Sequence, residues 1–214
     1  MHHFNGFEPL IFANKIEYLL ARLTTQKLER HLLLQIQSPT LQILFFSEDY
    51  DNDIFGLLFK RTFTQTPNGL YVTHDYFVLP KAYRGSGIGK KVLAICLEQY
   101  LKMNIQKILI HAGLQDGGYV WARAGFKAIN RSEVDQILSE AKIKLRREEY
   151  DIAQAWYCNH YNNFPDLAFK IEDWARMDAM VPILRGSDWH GEIDLTNPKE
   201  LINFTRYVSR SHKI

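Results

Sequence analysis

Three alternating glycines, Gly85, Gly87 and Gly89, stand between two cations in the run Pro80-Lys81-Ala82-Tyr83-Arg84-Gly85-Ser86-Gly87-Ile88-Gly89-Lys90. Glycine lets a backbone approach a ligand closely and adopt the turns that aim successive amides inward. A helix opens at about Ile88, and its positive dipole end adds to the attraction for anions. The ligand this chemistry suits is a phosphate or pyrophosphate, with Arg84 and Lys90 supplying charge beside it. Two other phosphate motifs are absent. A P-loop needs Gly, four residues, then Gly-Lys-Ser/Thr; here Arg84 stands where the first Gly belongs and Lys91 where the Ser/Thr belongs. The Gly-x-Gly-x-x-Gly dinucleotide pattern fails because the glycines are spaced two and two. The alternative is a glycine-rich turn without a ligand, and the strand before, the helix after and the flanking Arg84 argue against it.

A strand and a helix must hold that turn. Residues 70–79, rich in Tyr, Val, Thr and Phe, read as the strand that enters it. Residues 88–103 place Val92, Leu93, Ile95, Cys96, Leu97, Tyr100 and Leu101 on a helix face, and 107–111 holds the apolar strand core Ile108, Leu109 and Ile110. Strand, helix and strand in that order make a crossover. Upstream, 41–46 and 54–63 read as two further strands, separated by the Asp- and Asn-rich turn 47–53; Pro67-Asn68-Gly69 is the next turn. Consecutive hairpins make these three strands antiparallel neighbours. Two helices are expected before them. One is 9–23, with Ile11, Phe12, Ile16, Leu19, Leu20 and Leu23 at helical spacing; the other is 25–37, with Leu28, Leu32 and Ile36, stopped by Pro39.

Residues 118–124 read as a short helix closed by Gly125. After Ser132, its expected cap, Val134, Ile137, Leu138, Ala141 and Leu145 recur at helical spacing. The aromatic stretch 155–174 is expected to be partly helical, 189–195 a last strand and 198–209 a terminal helix. The expected fold class is therefore mixed α/β (α+β), a mainly antiparallel sheet flanked by helices. The division expected is a core over 1–130 and a mostly helical extension over 131–214, with 189–195 returning to the core sheet.

Composition narrows the function classes. The chain has 214 residues, 46% of them apolar and 23% charged, with 26 basic against 24 acidic side chains. That is an ordinary globular balance, which disfavours a nucleic-acid partner and gives no sign of a membrane partner. Cys96 and Cys158 form no Cys-x-x-Cys pair, which argues against a zinc ribbon or a thioredoxin-like motif. Cys96 falls on an apolar helix face and reads as a small buried hydrophobe. His74, His111 and His190 show no metal-ligand spacing, so no metal is expected. Residues 1–10 lack a signal-peptide pattern and no segment is long enough to span a bilayer, which makes the cytoplasm the expected compartment. The polar and aromatic segment 185–194 offers Glu192 or Asp194 to an amine, or is a surface turn before the last strand.

The signature Val78-Leu79-Pro80 followed by Tyr83-Arg84-Gly85-Ser86-Gly87-Ile88-Gly89 resembles the acyl-CoA motif of the GNAT superfamily, the Gcn5-related N-acetyltransferases. The family's core pattern Gln/Arg-x-x-Gly-x-Gly/Ala is matched by Arg84, Gly87 and Gly89. The order of elements around it agrees over residues 7–129, down to a Gly125-Phe126 pair common in the family. The resemblance implies an acyltransferase that takes acetyl-CoA or another acyl-CoA and passes the acyl group to an amine by direct attack. The amine could belong to a small molecule or to a protein. It implies that the strand over 71–79 splays from the strand over 107–111 and that pantetheine lies in the gap. Backbone groups of Phe77, Val78 and Leu79 would pair with its amides, and Arg84, Gly85, Ser86, Gly87, Ile88, Gly89 and Lys90 would hold the pyrophosphate.

The family pattern is broken at two positions. Many members carry Tyr four residues before the Gly of Gly-Phe, as general acid; here that position is Trp121, whose indole is no proton donor at neutral pH. Tyr119 is the nearest phenol, but on a helix it points about 160° from position 121. Gln115 replaces a familiar Asn, and Trp121 could instead pack against the cofactor or in the core. For the base, His74 and Asp75 precede the cofactor-contacting residues on their strand, and alternation lets only one of them face a cleft. Two alternatives stand beside the enzyme: a non-catalytic CoA-binding or interaction module, and a macromolecular acceptor met by Lys142, Lys144, Arg146 and Arg147. A homodimer is left open by the aromatics between Trp156 and Trp174.

Overall fold

The computed structural model describes residues 4–21, 30–47, 58–79, 84–113 and 116–209. The chain opens with the expected helix, Pro9–Ala21 (α1), but Arg30–Gln37 is a strand (β1), not the end of a helix over 25–37. Residues 25–29 lie outside the described residues. The misreading has a physical cause. Leu32 and Ile36 are four apart, a spacing that suits one face of a helix and one face of a strand equally. Leu33, Leu34 and Ile36 are 56%, 40% and 49% exposed, so core burial imposes no period on the run. Pairing decides: β1 runs antiparallel to Thr40–Ser47 (β2) from His31 opposite Phe46 to Gln37 opposite Thr40. The turn at Ser38 and Pro39 that joins them is held by Thr40 Oγ1, which donates to the Gln37 carbonyl at 2.6 Å.

Leu58–Thr66 (β3) and Gly69–Val78 (β4) continue the meander, each antiparallel to the strand before. Along β2, β3 and the first half of β4, buried residues alternate with half-buried ones. Leu41, Ile43, Phe45, Phe59, Phe63, Leu70 and Val72 line the dry face. Helix Ile88–Lys102 (α2) and α1 bring Phe12, Ile16, Leu20, Val92, Cys96 and Tyr100 to the same core, where Phe12 packs on Phe59 at 5.8 Å and Tyr100 edge-on to Phe63 at 6.0 Å. An ion pair from Lys15 to Glu98, 2.7 Å long, ties α1 to α2.

The remaining elements are Ile105–His111 (β5), Gly117–Arg123 (α3), Lys127–Ala128 (β6), Arg131–Lys144 (α4), Arg147–Asn163 (α5), two 3-10 turns, Val181–Arg185 (α6), His190–Asp194 (β7) and Pro198–Ser209 (α7). The class is mixed α/β: the described residues form seven strands in one sheet, ordered β1-β2-β3-β4-β5-β7-β6 and mostly antiparallel, with a C-terminal helix. No helix among the described residues is long and apolar enough to cross a membrane.

The chain divides into two compact units, Met1–Ile108 with Leu195–Ile214, and Leu109–Asp194. In the first, α7 lies against α2, with the Lys90 ammonium 4.9 Å from the Tyr207 ring. In the second, α4 buries Val134, Ile137, Leu138 and Ala141, the face its spacing predicts. Its cap is Asn130, not Ser132, which lies inside the first turn because Asn130 is the last residue with extended backbone. Phe169 and Trp174 are buried with Tyr161, and Trp174 Nε1 donates to the Ala153 carbonyl at 3.1 Å. These aromatics of the 155–174 stretch build the core of their own unit.

Candidate functional site

Strand β4 changes character just before the glycine turn. Its register with β3 slips between Lys60 and Arg61: Lys60 lies opposite Tyr76 and Arg61 opposite His74, leaving Asp75 as an extra residue. A bulge of this kind frees ladder groups and re-aims side chains. Here the fully buried Arg61 takes one freed group. Its Nη1 donates to the Tyr76 carbonyl at 2.8 Å and to the Lys60 carbonyl at 2.7 Å, and the guanidinium lies 4.1 Å from the centre of the Phe59 ring.

The two base candidates on β4 part company at the bulge. His74 is 4% exposed, with Nε2 2.9 Å from the Tyr100 hydroxyl. Burial, and after it the Arg61 charge, holds its pKa well below the usual 6.5, so it is a neutral core imidazole. The same burial pushes the Cys96 thiol up to about 11 and the Tyr100 phenol well above its ordinary value. Asp75 is half-buried and accepts a hydrogen bond from Thr62 Oγ1 at 2.9 Å.

Past the bulge, Phe77 stands edge-on to Phe59 at 5.9 Å, Val78 ends the strand and Leu79 follows it. Residues 80–83 lie outside the described residues. Arg84 is exposed and returns to the strand end, Nε donating to the Leu79 carbonyl at 3.0 Å. The expected positions of Arg84 and Leu79 thus meet, with the arginine fastening the turn as well as bringing charge to it. Gly85 and Gly87 have φ of 77° and 79°, left-handed values that a side chain would strain. Gly87 is the N-cap of α2 and offers no side-chain cap; the first amide bonded back is Lys91 N, to the Gly87 carbonyl at 3.3 Å. The amides of Ile88, Gly89 and Lys90 therefore have no acceptor within the helix. A Cβ at Gly85 would meet nothing within 4 Å, and one at Gly89 would lie 3.5 Å from Leu79 Cδ1. Ser86 is exposed beside them. Left-handed glycines leading into an uncapped helix start can receive an anion.

In the second unit, α3 ends as Gly125 predicts. Gly125 has φ of 93°; its N–H donates to the Ala122 carbonyl at 3.0 Å and Phe126 N–H to the Trp121 carbonyl at 3.2 Å. This is a Schellman cap, and its customary apolar contact is the edge-on Trp121–Phe126 pair at 5.2 Å. Trp121 is half-buried in that role. Tyr119, also half-buried, lies under the Arg185 guanidinium at 5.6 Å, and Arg185 Nε is 3.3 Å from Asp116 Oδ1. Gln115 lies outside the described residues.

A cluster that spacing did not reveal occupies the same unit. His111 Nε2 is 2.5 Å from Asp188 Oδ1, and the His111 ring stacks on His190 at 4.4 Å and 1°. His190 Nδ1 is 2.7 Å from Glu133 Oε1, while its backbone N–H donates to Glu133 Oε2 at 2.7 Å. Burial raises the pKa of the Glu133 carboxyl, but hydrogen bonds from the His190 backbone, the Asn130 side chain and the His190 ring outweigh it and hold the carboxyl below its usual value. The polar density of 185–194 was the available signal. The partners come from a strand end, a loop, a second strand and a helix start, and only the fold joins them. Among the described residues no group of three or more His, Cys, Asp or Glu could hold a metal ion.

No protein-family model matches the chain, and no curated protein matches it.

Proposed function

We propose that this chain is an acyl-CoA-dependent N-acyltransferase, using acetyl-CoA first, in the manner of the Gcn5-related N-acetyltransferases its signature resembles. One observation carries the reading: two left-handed glycines, Gly85 and Gly87, open α2 without a side-chain cap. A turn with no ligand has no need of that arrangement, because an Asn, Ser or Asp would cap the helix and stabilise it by about 1 kcal/mol. The groups that would hold the pyrophosphate are the amides of Ile88, Gly89 and Lys90, with the Arg84 charge nearby; Phe77 and Val78 would meet pantetheine. Bound acetyl-CoA supplies an activated acyl thioester, and the protein's part is to hold it, orient the amine and take its proton. The acceptor is an amine of a small molecule or of a protein. The free thiol of Cys158, which is exposed, suits a reducing compartment such as the cytoplasm.

The second reading is a non-catalytic CoA-binding or interaction module. It is favoured by the burial of His74 and by the packing role of Trp121. Turnover separates the two readings, and binding tests what they share.

Calorimetric titration with acetyl-CoA, native chain against Gly89→Glu, is the test. Gly89 is helical and a Cβ there makes only ordinary contacts, while a carboxylate in the first turn favours the helix dipole. The variant should therefore fold as well as the native chain and lose affinity by about thirtyfold or more, the work of about 2 kcal/mol of displaced phosphate contact. Absence of binding by the native chain, or equal binding by the variant, sinks the proposal.

A further inference from the structure

We infer that strand β1 is a dimerisation edge, which pairs antiparallel with β1 of a second copy of this chain in a register centred on Leu34. The inference stands apart from the acyl-transfer reading and draws only on the first unit.

β1 lies at the end of the sheet, and among the described residues it pairs with β2 and with no other strand. Alternate residues of an edge strand direct their N–H and C=O groups away from the partner they have, a template for a further strand. Folded proteins blunt such an edge with lysine, proline, an inward charge or a bulge. β1 uses none of these. Its sequence Arg-His-Leu-Leu-Leu-Gln-Ile-Gln holds no Lys, Asp, Glu or Pro, and it pairs with β2 residue for residue, without a shift.

The side chains ask for the same occupant as the backbone. Residues opposite one another in an antiparallel pair share a face of the sheet. Leu32, Leu34 and Ile36 stand opposite Phe45, Ile43 and Leu41, each of which is buried. The dry face of the sheet therefore runs on into β1, yet Leu34 is 40% and Ile36 49% exposed. What completes it must bring a strand for the backbone and apolar side chains on that face.

β1 itself meets that description. A twofold axis normal to the sheet at Leu34 sets the strand antiparallel to its copy and keeps both dry faces on one side. Leu34 then opposes Leu34 of the second copy, and Leu32 opposes Ile36 in both directions. On the other face Leu33 falls beside Gln35, and His31 beside Gln37. Every apolar residue of the dry face meets another, and Arg30 lies beyond the paired run. Moving the axis to Leu33 would set Arg30 against Ile36. Moving it between Leu33 and Leu34 would turn the dry face of one copy to the wet side of the other. In the Leu34 register the β4-β3-β2-β1 meanders of the two copies join into one continuous sheet.

Sedimentation velocity tests the dimer. The edge is short and suits a dimer of micromolar strength, so the native chain should be dimeric at about 100 µM and largely monomeric at about 0.1 µM. Leu34→Lys sets two ammonium groups against each other at the axis and should weaken the dimer about thirtyfold or more. Leu34 is part-exposed at the sheet edge, so the variant should keep the native far-UV circular dichroism and Tm. Hydrogen exchange reads the same contact without a substitution: in the native chain the β1 peptide should exchange more slowly at the higher concentration. Leu34→Glu should be as monomeric as Leu34→Lys, and an equal mixture of the two should recover the dimer, because the register sets position 34 opposite itself. A native chain that stays monomeric at the higher concentration overturns the proposal and leaves the edge to a strand of another protein. A native dimer that Leu34→Lys leaves intact also overturns it, and so does a mixture that fails to recover the dimer.

Discussion

Two helices of this protein begin on glycine, for opposite reasons. At the start of α3, Gly118 is buried, and a Cβ there would fall 2.1 Å from the Leu184 carbonyl oxygen and 2.4 Å from Ser187 Oγ. The protein's own backbone occupies the space, and Asp116, at the N-cap, is turned to Arg185. At the start of α2, a Cβ at Gly85 would meet nothing, and one at Gly89 would meet only side chains at ordinary distance. Glycine at α3 answers to packing. Glycine at α2 leaves amides open and space in front of them, which is what an approaching anion needs. Composition alone does not separate these cases; the neighbours of the absent Cβ do.

Substitutions test how far the two helix starts differ. The largest stability effect is expected from Gly118→Ala, which drives a methyl into a carbonyl oxygen and should cost about 3 kcal/mol in urea unfolding. A loss below about 0.5 kcal/mol would mean that α3 and α6 are not packed this closely.

Next comes a pH effect from the core beneath β4. His74 is held neutral, with its folded pKa below the unfolded value near 6.5. Above that value both states are neutral and the group contributes no slope. As pH falls below it the unfolded chain binds the proton first, so stability falls by up to about 1.4 kcal/mol per pH unit until the folded pKa is reached. His74→Gln should flatten that slope between about pH 6.5 and 5; an equal slope in the variant would place the titration elsewhere.

The smallest effect is expected from Gly89→Ala. It should raise stability by about 0.5 kcal/mol, because the helical backbone there accepts a side chain. Thermal denaturation would show a small upward shift in Tm, and a marked fall would mean that the start of α2 is as crowded as that of α3.

Much of the fold was legible, because burial writes its period into the residues. Val134, Ile137, Leu138 and Ala141 recur at helical spacing and are the residues α4 buries. The apolar core of β5 and the glycine at the end of α3 were readable for the same reason: each is a local requirement met by a local residue. Strand β1 was not legible, since its apolar side chains are largely exposed and its state is set by pairing with β2. The glycine turn was visible because its chemistry lies within one short run. The contact between His111 and Asp188 was hidden because the two are 77 residues apart and meet only through the fold. His74 offered an imidazole at a plausible place in the sequence, yet its burial could be read only once β4, α2 and Arg61 were assembled around it.

The open amides of α2 are proposed to hold the pyrophosphate of an acyl-CoA. The most direct measurement is the amide resonances of Ile88, Gly89 and Lys90 in a titration with acetyl-CoA and, separately, with acetyl-pantetheine, which lacks the pyrophosphate. All three are expected to shift with acetyl-CoA and to stay nearly still with acetyl-pantetheine. Shifts confined to other residues, or the same shifts with both ligands, would contradict it.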